Sequence, residues 1–154
     1  MIRALPFLLF LIATPLLAAE PIIGRVVSIA DGDTITVLNS NKTQQKIRLH
    51  GIDAPEKSQA FGTKSKDALA ALVFQKDVVV TVVDKDRYGR WVGEVRQGGV
   101  DVNARMVRDG WCWRYPTYDK AREYAAAQAE AQKEKRGLWA DKDPVPPWEF
   151  RKKR

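Results

Sequence analysis

Residues 47–56, which read Ile-Arg-Leu-His-Gly-Ile-Asp-Ala-Pro-Glu, constrain the fold more than any other stretch of the chain. Ile47 and Leu49 alternate with polar neighbours, as in a β-strand that turns one face toward a core. Pro55 ends such a strand and biases the residue before it toward an extended conformation. The stretch therefore predicts a strand that runs into a turn at the mouth of a sheet. Its charged residues at that mouth are Arg48, Asp53 and Glu56.

Alternation and turn residues divide the rest of the chain into further elements. Polar or glycine-containing turns separate the apolar segments. The predicted strands cover residues 22–30, 34–38, 45–50, 78–83, 91–96 and 100–102. The predicted helices run from a Thr63 cap to about Gln75, from an Asn103 cap to before Gly110, and from Asp119 to about Arg136. The run at 78–83 is apolar without a break, which is typical of a strand buried on both faces.

The order of these elements indicates the fold class. Three strands come first, then a helix, then two or more strands, and finally two helices. Five strands with the helices set apart from them suit a small closed barrel. We therefore predict an α+β fold with a five-stranded OB-type β-barrel and about three α-helices.

The first 19 residues are typical of a secretory signal peptide. Arg3 supplies a positive start, residues 4–17 are uncharged and mostly apolar, and the segment ends in Leu-Ala-Ala. About 14 apolar residues are too few for a membrane span, which needs roughly 20. A retained membrane anchor is the alternative interpretation. We expect an exported protein that is periplasmic or secreted.

The predicted domain organisation is a signal peptide at 1–19, one OB-fold domain at 20–143, and a proline-rich basic tail at 144–154. Removing 19 of the 154 residues leaves 135, enough for one domain with one core. Residues 144–147 are expected to end regular structure. The last four residues, Arg-Lys-Lys-Arg, are expected to be a solvated end.

Composition limits the chemistry that the chain can perform. The net charge of +7 favours anionic partners such as nucleic acid, although many exported proteins are basic. Cys112 is the only cysteine, so an intrachain disulfide is excluded, and a core position is expected for it. His50 is the only histidine, which disfavours zinc sites with several histidines and two-histidine ribonucleases. An enzyme of this composition would rely on carboxylates, arginines and a metal.

Carboxylates flank two of the predicted turns. Hard cations such as Ca²⁺ take oxygen ligands from carboxylates, backbone carbonyls and water. Asp33, Asp53 and the carbonyl of Ala54 would make an open site, and Glu56 lies where it could hold or deprotonate a water molecule. Ordinary turn chemistry is the alternative, with Asp31 capping its own loop.

Arginines and aromatic residues complete the candidate site. Guanidinium groups stabilise the charge that gathers on a phosphate in the transition state, which suggests a phosphate clamp at Arg48 and Arg90. The alternative is that both arginines are solvated strand residues. Aromatic residues beside basic ones can stack bases, although each could equally belong to the core or the surface. The aromatic candidates are Tyr88, Trp113, Tyr115 and Tyr118.

Three separated motifs, in order, resemble the staphylococcal nuclease (thermonuclease) family. They are Asp-Gly-Asp-Thr at 31–34, residues 47–49 running into Ile-Asp-Ala-Pro-Glu at 52–56, and Asp-Arg-Tyr-Gly-Arg at 86–90. The resemblance extends from about Gly24 to Trp139. It implies an OB-type barrel with three helices and a calcium-dependent phosphodiesterase that cuts DNA and RNA and leaves a 3′-phosphate. It also implies that Asp33 and Asp53 are calcium carboxylates and Ala54 the carbonyl ligand.

The resemblance implies roles for the other candidate residues as well. Arg48 and Arg90 resemble the family's phosphate-binding arginines, and Glu56 its water-orienting carboxylate. Three residues resemble substrate contacts, namely Arg87, Tyr88 and Tyr115. The implied partners are single-stranded DNA and RNA, with duplex DNA as a further candidate, and a monomer without stable membrane association is expected.

Two other functions compete with this interpretation. A non-catalytic OB module would bind single strands without cleaving them. A phosphatase of the aspartyl-phosphate type would use Asp31 as its nucleophile, because residues 31–34 also fit Asp-x-Asp-x-Thr. The phosphatase fold needs a helix soon after this motif, whereas the sequence predicts a strand there.

Overall fold

A computed structural model describes residues 19–116 and 121–153 of the chain. The predicted signal peptide therefore lies outside the described residues except for Ala19. Tyr118 and the predicted start of the last long helix at Asp119 also lie outside them. Within the described ranges, no helix has both the length and the apolar character needed to cross a lipid bilayer.

The described residues form eight strands and four α-helices, and the first four elements are all strands. The strands are β1 (Ile22–Asp31), β2 (Thr34–Asn39), β3 (Gln44–Leu49), β4 (Ile52–Asp53), β5 (Asp77–Lys85), β6 (Trp91–Gln97), β7 (Val100–Asp101) and β8 (Trp113–Arg114). The helices are α1 (Gly62–Val73), α2 (Val102–Arg108), α3 (Ala121–Lys133) and α4 (Pro147–Lys152), with a 3₁₀ turn at Gly137–Ala140.

Five of the strands close into a barrel. The order is β3-β2-β1-β5-β6, and each adjacent pair in it is antiparallel. β3 then pairs with β6 in parallel, from Ile47 opposite Trp91 to Leu49 opposite Gly93. This closure confirms the predicted α+β fold with an OB-type barrel. The short strand β7 pairs antiparallel with the end of β6, and β4 pairs with β8.

The alternation in residues 47–49 is realised as predicted. Ile47 and Leu49 are buried in the main core, while the side chain of Arg48 between them faces the other way and is 19% exposed. Cys112 is also fully buried in this core, which confirms the prediction of a core cysteine. Because Ile47 and Leu49 are packed in the core, they fix the strand that carries Arg48.

The prediction that residues 78–83 are buried on both faces is wrong. Val78 and Val80 are buried, but Val79 and Val83 are 42% and 47% exposed. β5 is part of a closed barrel, so its inner face fills the core while its outer face remains in solvent. An unbroken apolar run does not distinguish this arrangement from a strand covered on both sides.

Both predicted helix caps are wrong. Helix α1 begins after Phe61, which has a left-handed backbone (φ 66°), and the Thr63 hydroxyl does not cap it. Helix α2 is capped by Asp101, whose carboxylate accepts a hydrogen bond from the Ala104 amide at 3.0 Å. Asn103 lies inside α2, and its side chain bonds to the barrel backbone instead of capping the helix.

The buried side chain of Asn103 joins α2 to the barrel. Its Oδ1 accepts a hydrogen bond from the Val95 amide at 3.0 Å. Its Nδ2 donates to the carbonyls of His50 at 2.9 Å and Gly93 at 3.2 Å. The carboxyl end of β3, strand β6 and helix α2 are therefore connected through one amide group.

The C-terminal part of the chain is more ordered than predicted. Leu138 and Trp139 form a second buried cluster with Ala131. The prediction that residues 144–147 end regular structure is wrong, because Pro147 begins helix α4. Proline suits the first turn of a helix, where its missing N–H has no intrahelical partner to lose.

Replacing Asn103 with alanine should destabilise the protein by roughly 2–4 kcal/mol, because three backbone groups each lose a hydrogen bond to its buried side chain. Urea unfolding would measure the loss. Asn41→Ala, in the exposed β2–β3 hairpin, is the matched control and should change stability by less than about 0.5 kcal/mol. Equal losses in the two variants would contradict this role for Asn103.

Candidate active site

The turn between β1 and β2 carries the first buried carboxylate of the site. Asp33 is 5% exposed. Its Oδ1 accepts a hydrogen bond from the Thr34 hydroxyl at 2.9 Å, and its Oδ2 accepts one from the Ala54 amide at 2.7 Å. Its carbonyl accepts another from the Leu49 amide at 2.8 Å. Asp33 thus ties this turn to the end of β3 and to the loop that follows β4.

Arg48 links the two buried aspartates. Its Nη1 lies 3.3 Å from Asp33 Oδ2, and its Nη2 donates to Asp53 Oδ1 at 3.0 Å. The same Nη1 also donates to the carbonyls of Leu49 and Ile52. Burial lowers the pKa of Arg48, but attraction to Asp33 and Asp53 outweighs burial and raises it. Its guanidinium is therefore a fixed positive charge at the base of the site.

Burial makes negative charge costly at two other carboxylates. Asp53 is 2% exposed, and burial raises its pKa against the opposing effects of Arg151 and Arg48. Burial, followed by repulsion from Asp33, raises the pKa of Asp31 to about 7. Asp31 also accepts a hydrogen bond from the Asp33 amide at 3.2 Å, which confirms that it caps its own loop. A further positive group would relieve the repulsion among these carboxylates.

Arg90 reaches the site from the turn between β5 and β6. The carboxylate of Asp86 organises this turn by accepting hydrogen bonds from the amides of Tyr88 and Arg90, both at 3.0 Å. It also accepts one from Arg90 Nε at 2.7 Å. Arg90 Nη1 is then 3.5 Å from the Thr34 hydroxyl, beside Asp33. Asp86 thus aims Arg90 at the acidic turn.

The Glu56 carboxylate is positioned after Pro55 and contacts a residue from the C-terminal helix. Its backbone amide donates to the Gln59 side chain at 3.1 Å. Its Oε1 accepts a hydrogen bond from Arg151 Nη1 at 2.7 Å. Hydrogen bonds to Asp53, and then to Glu56, raise the pKa of Arg151. The prediction of a solvated basic end is therefore wrong for Arg151, which bonds to the site, whereas Lys152 and Lys153 are exposed as expected.

These groups open into one cavity of about 350 Å³. Seven of the nine residues to which the family resemblance gives a role line it together, and Asp31 and Arg151 line it as well. The seven are Asp33, Arg48, Asp53, Ala54, Glu56, Tyr88 and Arg90. The sequence motifs that are far apart in the chain are thus combined in one place.

A second cavity of about 340 Å³ adjoins the first and contains the remaining predicted residues. Arg87 and Tyr88 form its exposed side, where Arg87 Nη2 donates to the Tyr88 hydroxyl at 2.8 Å. Tyr88 is 70% exposed. Tyr115 is on the other side, and its amide donates to the Gly51 carbonyl at 2.8 Å. Arg48 and Arg90 line both cavities, so the two form a continuous groove.

The groove presents carboxylate oxygens, which are the ligand type that a hard cation prefers. Both oxygens of Asp53 and one oxygen of Glu56 converge on a single positive group, the guanidinium of Arg151. Asp33 is near enough to Asp53 to share Arg48 with it. Among the described residues, however, no three His, Cys, Asp or Glu side chains form a complete metal-binding cluster. A cation would therefore need carbonyl or water ligands in addition.

Comparisons with known proteins agree with this geometry. The model of the family "Staphylococcal nuclease homologue" matches residues 46–141, more than half of the chain. The chain belongs to the staphylococcal nuclease family. It is 47% identical, over 97% of both chains, to a protein of Escherichia coli O157:H7 described as an uncharacterized endonuclease. It is also 41% identical to a micrococcal nuclease of Shigella flexneri, over 84% of this chain and 80% of that one.

Membership of the staphylococcal nuclease family confirms the resemblance and the prediction of an endonuclease. It also excludes the aspartyl-phosphate phosphatase. Residues 31–34 lie between the antiparallel strands β1 and β2 rather than between a strand and a helix. Asp31 is therefore a turn residue of the nuclease site.

Sequence reasoning missed three residues of this nuclease that shape the groove. Asp86 could have been found, because an aspartate that opens a turn commonly bonds to the amides that follow it. The sequence around Asn103 indicates only a helix cap. Arg151 had one available signal, since a proline, two aromatic residues and a glutamate precede it and favour a short helix. Nothing in that pattern indicates which surface the helix contacts.

Gly32, between Asp31 and Asp33, should not tolerate a side chain. An added Cβ would lie 1.8 Å from Ser65 Oγ and 2.9 Å from Ala54 Cβ. Gly32→Ala should therefore cost roughly 1–3 kcal/mol in thermal or urea unfolding and lower nuclease activity, because the turn that holds Asp33 must move. Gly99→Ala is the control, since nothing lies within 4 Å of its Cβ. A Gly32→Ala variant as stable and active as Gly99→Ala would refute the steric argument.

Proposed function

We propose that this nuclease is calcium-dependent and sugar-nonspecific, hydrolysing phosphodiester bonds of DNA and RNA to leave 3′-phosphate ends. One observation carries the proposal. The buried carboxylates of Asp33 and Asp53 share the guanidinium of Arg48 and open into the same cavity as Glu56 and Arg90. A phosphate entering this cavity would meet carboxylate oxygens and arginine donors together.

In the proposed site, Asp33 and Asp53 would hold the calcium ion together with the carbonyl of Ala54. All three offer oxygen, the ligand atom that Ca²⁺ prefers. When bound, the ion supplies a Lewis acid that stabilises negative charge on a phosphate oxygen. Arg48 keeps the two carboxylates close despite their repulsion.

The remaining chemistry belongs to Glu56 and the two arginines. Glu56 orients a water molecule and accepts its proton as the water oxygen bonds to phosphorus. The bond from phosphorus to the 5′-oxygen breaks, and that oxygen takes a proton from solvent. Arg48 and Arg90 stabilise the charge that develops on the other phosphate oxygens. The part-buried hydrogen bond between Arg90 and Asp86 supports this role, because it holds the guanidinium in place before substrate arrives.

The adjoining cavity is the proposed path of the polymer. Tyr88 and Tyr115 offer aromatic faces on its two sides, and base stacking on such faces tolerates any base. Arg87 adds positive charge beside Tyr88 for a neighbouring phosphate. We propose single-stranded DNA and RNA as preferred substrates, with duplex DNA also accepted. Export to the periplasm or the medium, after cleavage of residues 1–19, and a monomeric state complete the proposal.

A cleavage assay tests the proposal directly. Single-stranded DNA and RNA oligonucleotides should both be cut with calcium and left intact with a calcium chelator, because Asp33 and Asp53 would then lack their cation. Mass spectrometry of the products should show 3′-phosphate ends. Cleavage that persists in chelator would refute the calcium site, and 5′-phosphate products would refute the direction of attack.

Arg90→Ala should lower kcat by about 10²- to 10³-fold, the usual effect of removing one preorganised donor from a transition state. Steady-state cleavage of a fluorescent oligonucleotide would measure the change. Arg105→Ala is a matched control, because Arg105 also pairs with an aspartate four residues away but is an exposed residue of helix α2 outside the site. A loss that is equally large in the control would show that the effect is not specific to the site.

A further inference from the structure

The C-terminal helix α4 packs directly against the proposed catalytic groove. The ring of Trp148 contacts those of Trp113 and Tyr115 edge to face, with centroids 5.7 and 5.5 Å apart. The Gln59 side chain donates a hydrogen bond to the Val145 carbonyl at 2.7 Å, just before α4 begins. These contacts bring the last turn of α4 to the acidic end of the groove.

Arg151, in that last turn, binds the acidic residues themselves. Its Nη2 donates to Asp53 Oδ2 at 2.7 Å, and its Nη1 is 3.3 Å from Asp53 Oδ1. The same Nη1 donates to Glu56 Oε1 at 2.7 Å. Both oxygens of a proposed calcium ligand and one oxygen of the proposed water-orienting group are therefore engaged by one guanidinium.

We propose that α4 is a built-in competitor for the calcium ion, so that Arg151 and the cation occupy the Asp53 carboxylate in turn. Two positive groups within a few ångströms repel each other, so a guanidinium bonded to both oxygens of Asp53 weakens the binding of a cation to the same carboxylate. The inference rests on the proposed calcium site. It adds that the resting protein holds this site closed, and that calcium binding releases α4 from Asp53 and Glu56.

The way in which α4 is attached makes such release feasible. The helix has six residues, and its Arg151 side chain remains 43% exposed. A cavity of about 150 Å³ lies beneath the segment, between Phe61 and Trp113 on one side and Val145 and Phe150 on the other. Short peripheral elements with few buried contacts open at low free-energy cost. The barrel and its carboxylates would therefore remain in place while α4 moves.

Calcium affinity of the full-length protein tests the competition without depending on catalysis. Isothermal titration with CaCl₂ should show that Arg151→Gln binds calcium at least about fivefold more tightly than the unmodified protein, within the usual 5- to 150-fold range of coupling between sites. Calcium affinity that is unchanged or weaker in Arg151→Gln would overturn the proposal.

Lys152→Gln is the matched control for this titration. It removes one positive charge from the same helix, but Lys152 is exposed and pairs with Glu149 rather than with the site. It should bind calcium as the unmodified protein does. Tightening in Lys152→Gln equal to that in Arg151→Gln would mean a general charge effect and would overturn the competition. If calcium bound to none of the three proteins, the proposed calcium site would fail as well, whereas equal binding by all three overturns only this inference.

Linkage provides a second measurement on the unmodified protein, which does not depend on how a variant folds. If Arg151 excludes calcium, then calcium must weaken the docking of α4 by the same factor. Hydrogen–deuterium exchange should therefore become faster on calcium addition at the amides of Phe150 and Lys153, which bond within this segment. Exchange in α3 should not change. Slower or unchanged exchange in α4 would overturn the proposal.

Discussion

Two buried carboxylates that both carry negative charge need a positive charge between them, and in this nuclease Arg48 supplies it. Its guanidinium contacts both Asp33 and Asp53 and two backbone carbonyls. Removing one partner from such a buried group typically costs about 3–5 kcal/mol, because an uncompensated charge remains. The β1–β2 turn, the end of β3 and strand β4 therefore depend on one electrostatic link. Arg90 and Glu56 can act on the same phosphate as the two aspartates only while that link is intact.

The barrel and most of the groove could be predicted because their signals are local. Alternation at 47–49 identifies the strand and the side of it that carries Arg48. Turn chemistry identifies where Asp33 and Asp53 leave their strands, and the order of three motifs identifies the family. The structure combines these motifs as expected, since the closure between β3 and β6 brings Arg48 beside the turn that carries Arg90.

Other features depend on contacts between distant parts of the chain and left no local signal. Asn103 looks like a helix cap by type and position, yet its amide serves the backbones of β6 and the loop after β3. Val79 has the same neighbours in sequence as a strand covered on both sides, but its outer face meets solvent. Arg151 contacts Asp53, 98 residues away, and a basic chain end without that contact would have the same sequence.

The closing pair of the barrel has a consequence for how function depends on folding. Arg48 lies within the short β3–β6 pairing, opposite Val92. This pairing joins segments about 44 residues apart in the chain, and the entropy of loop closure opposes contacts between such distant segments. A partly folded chain therefore has its carboxylates and arginines but not their arrangement. Enzymatic turnover in this protein would count only the molecules that have completed the barrel, which makes activity a direct measure of the natively folded fraction.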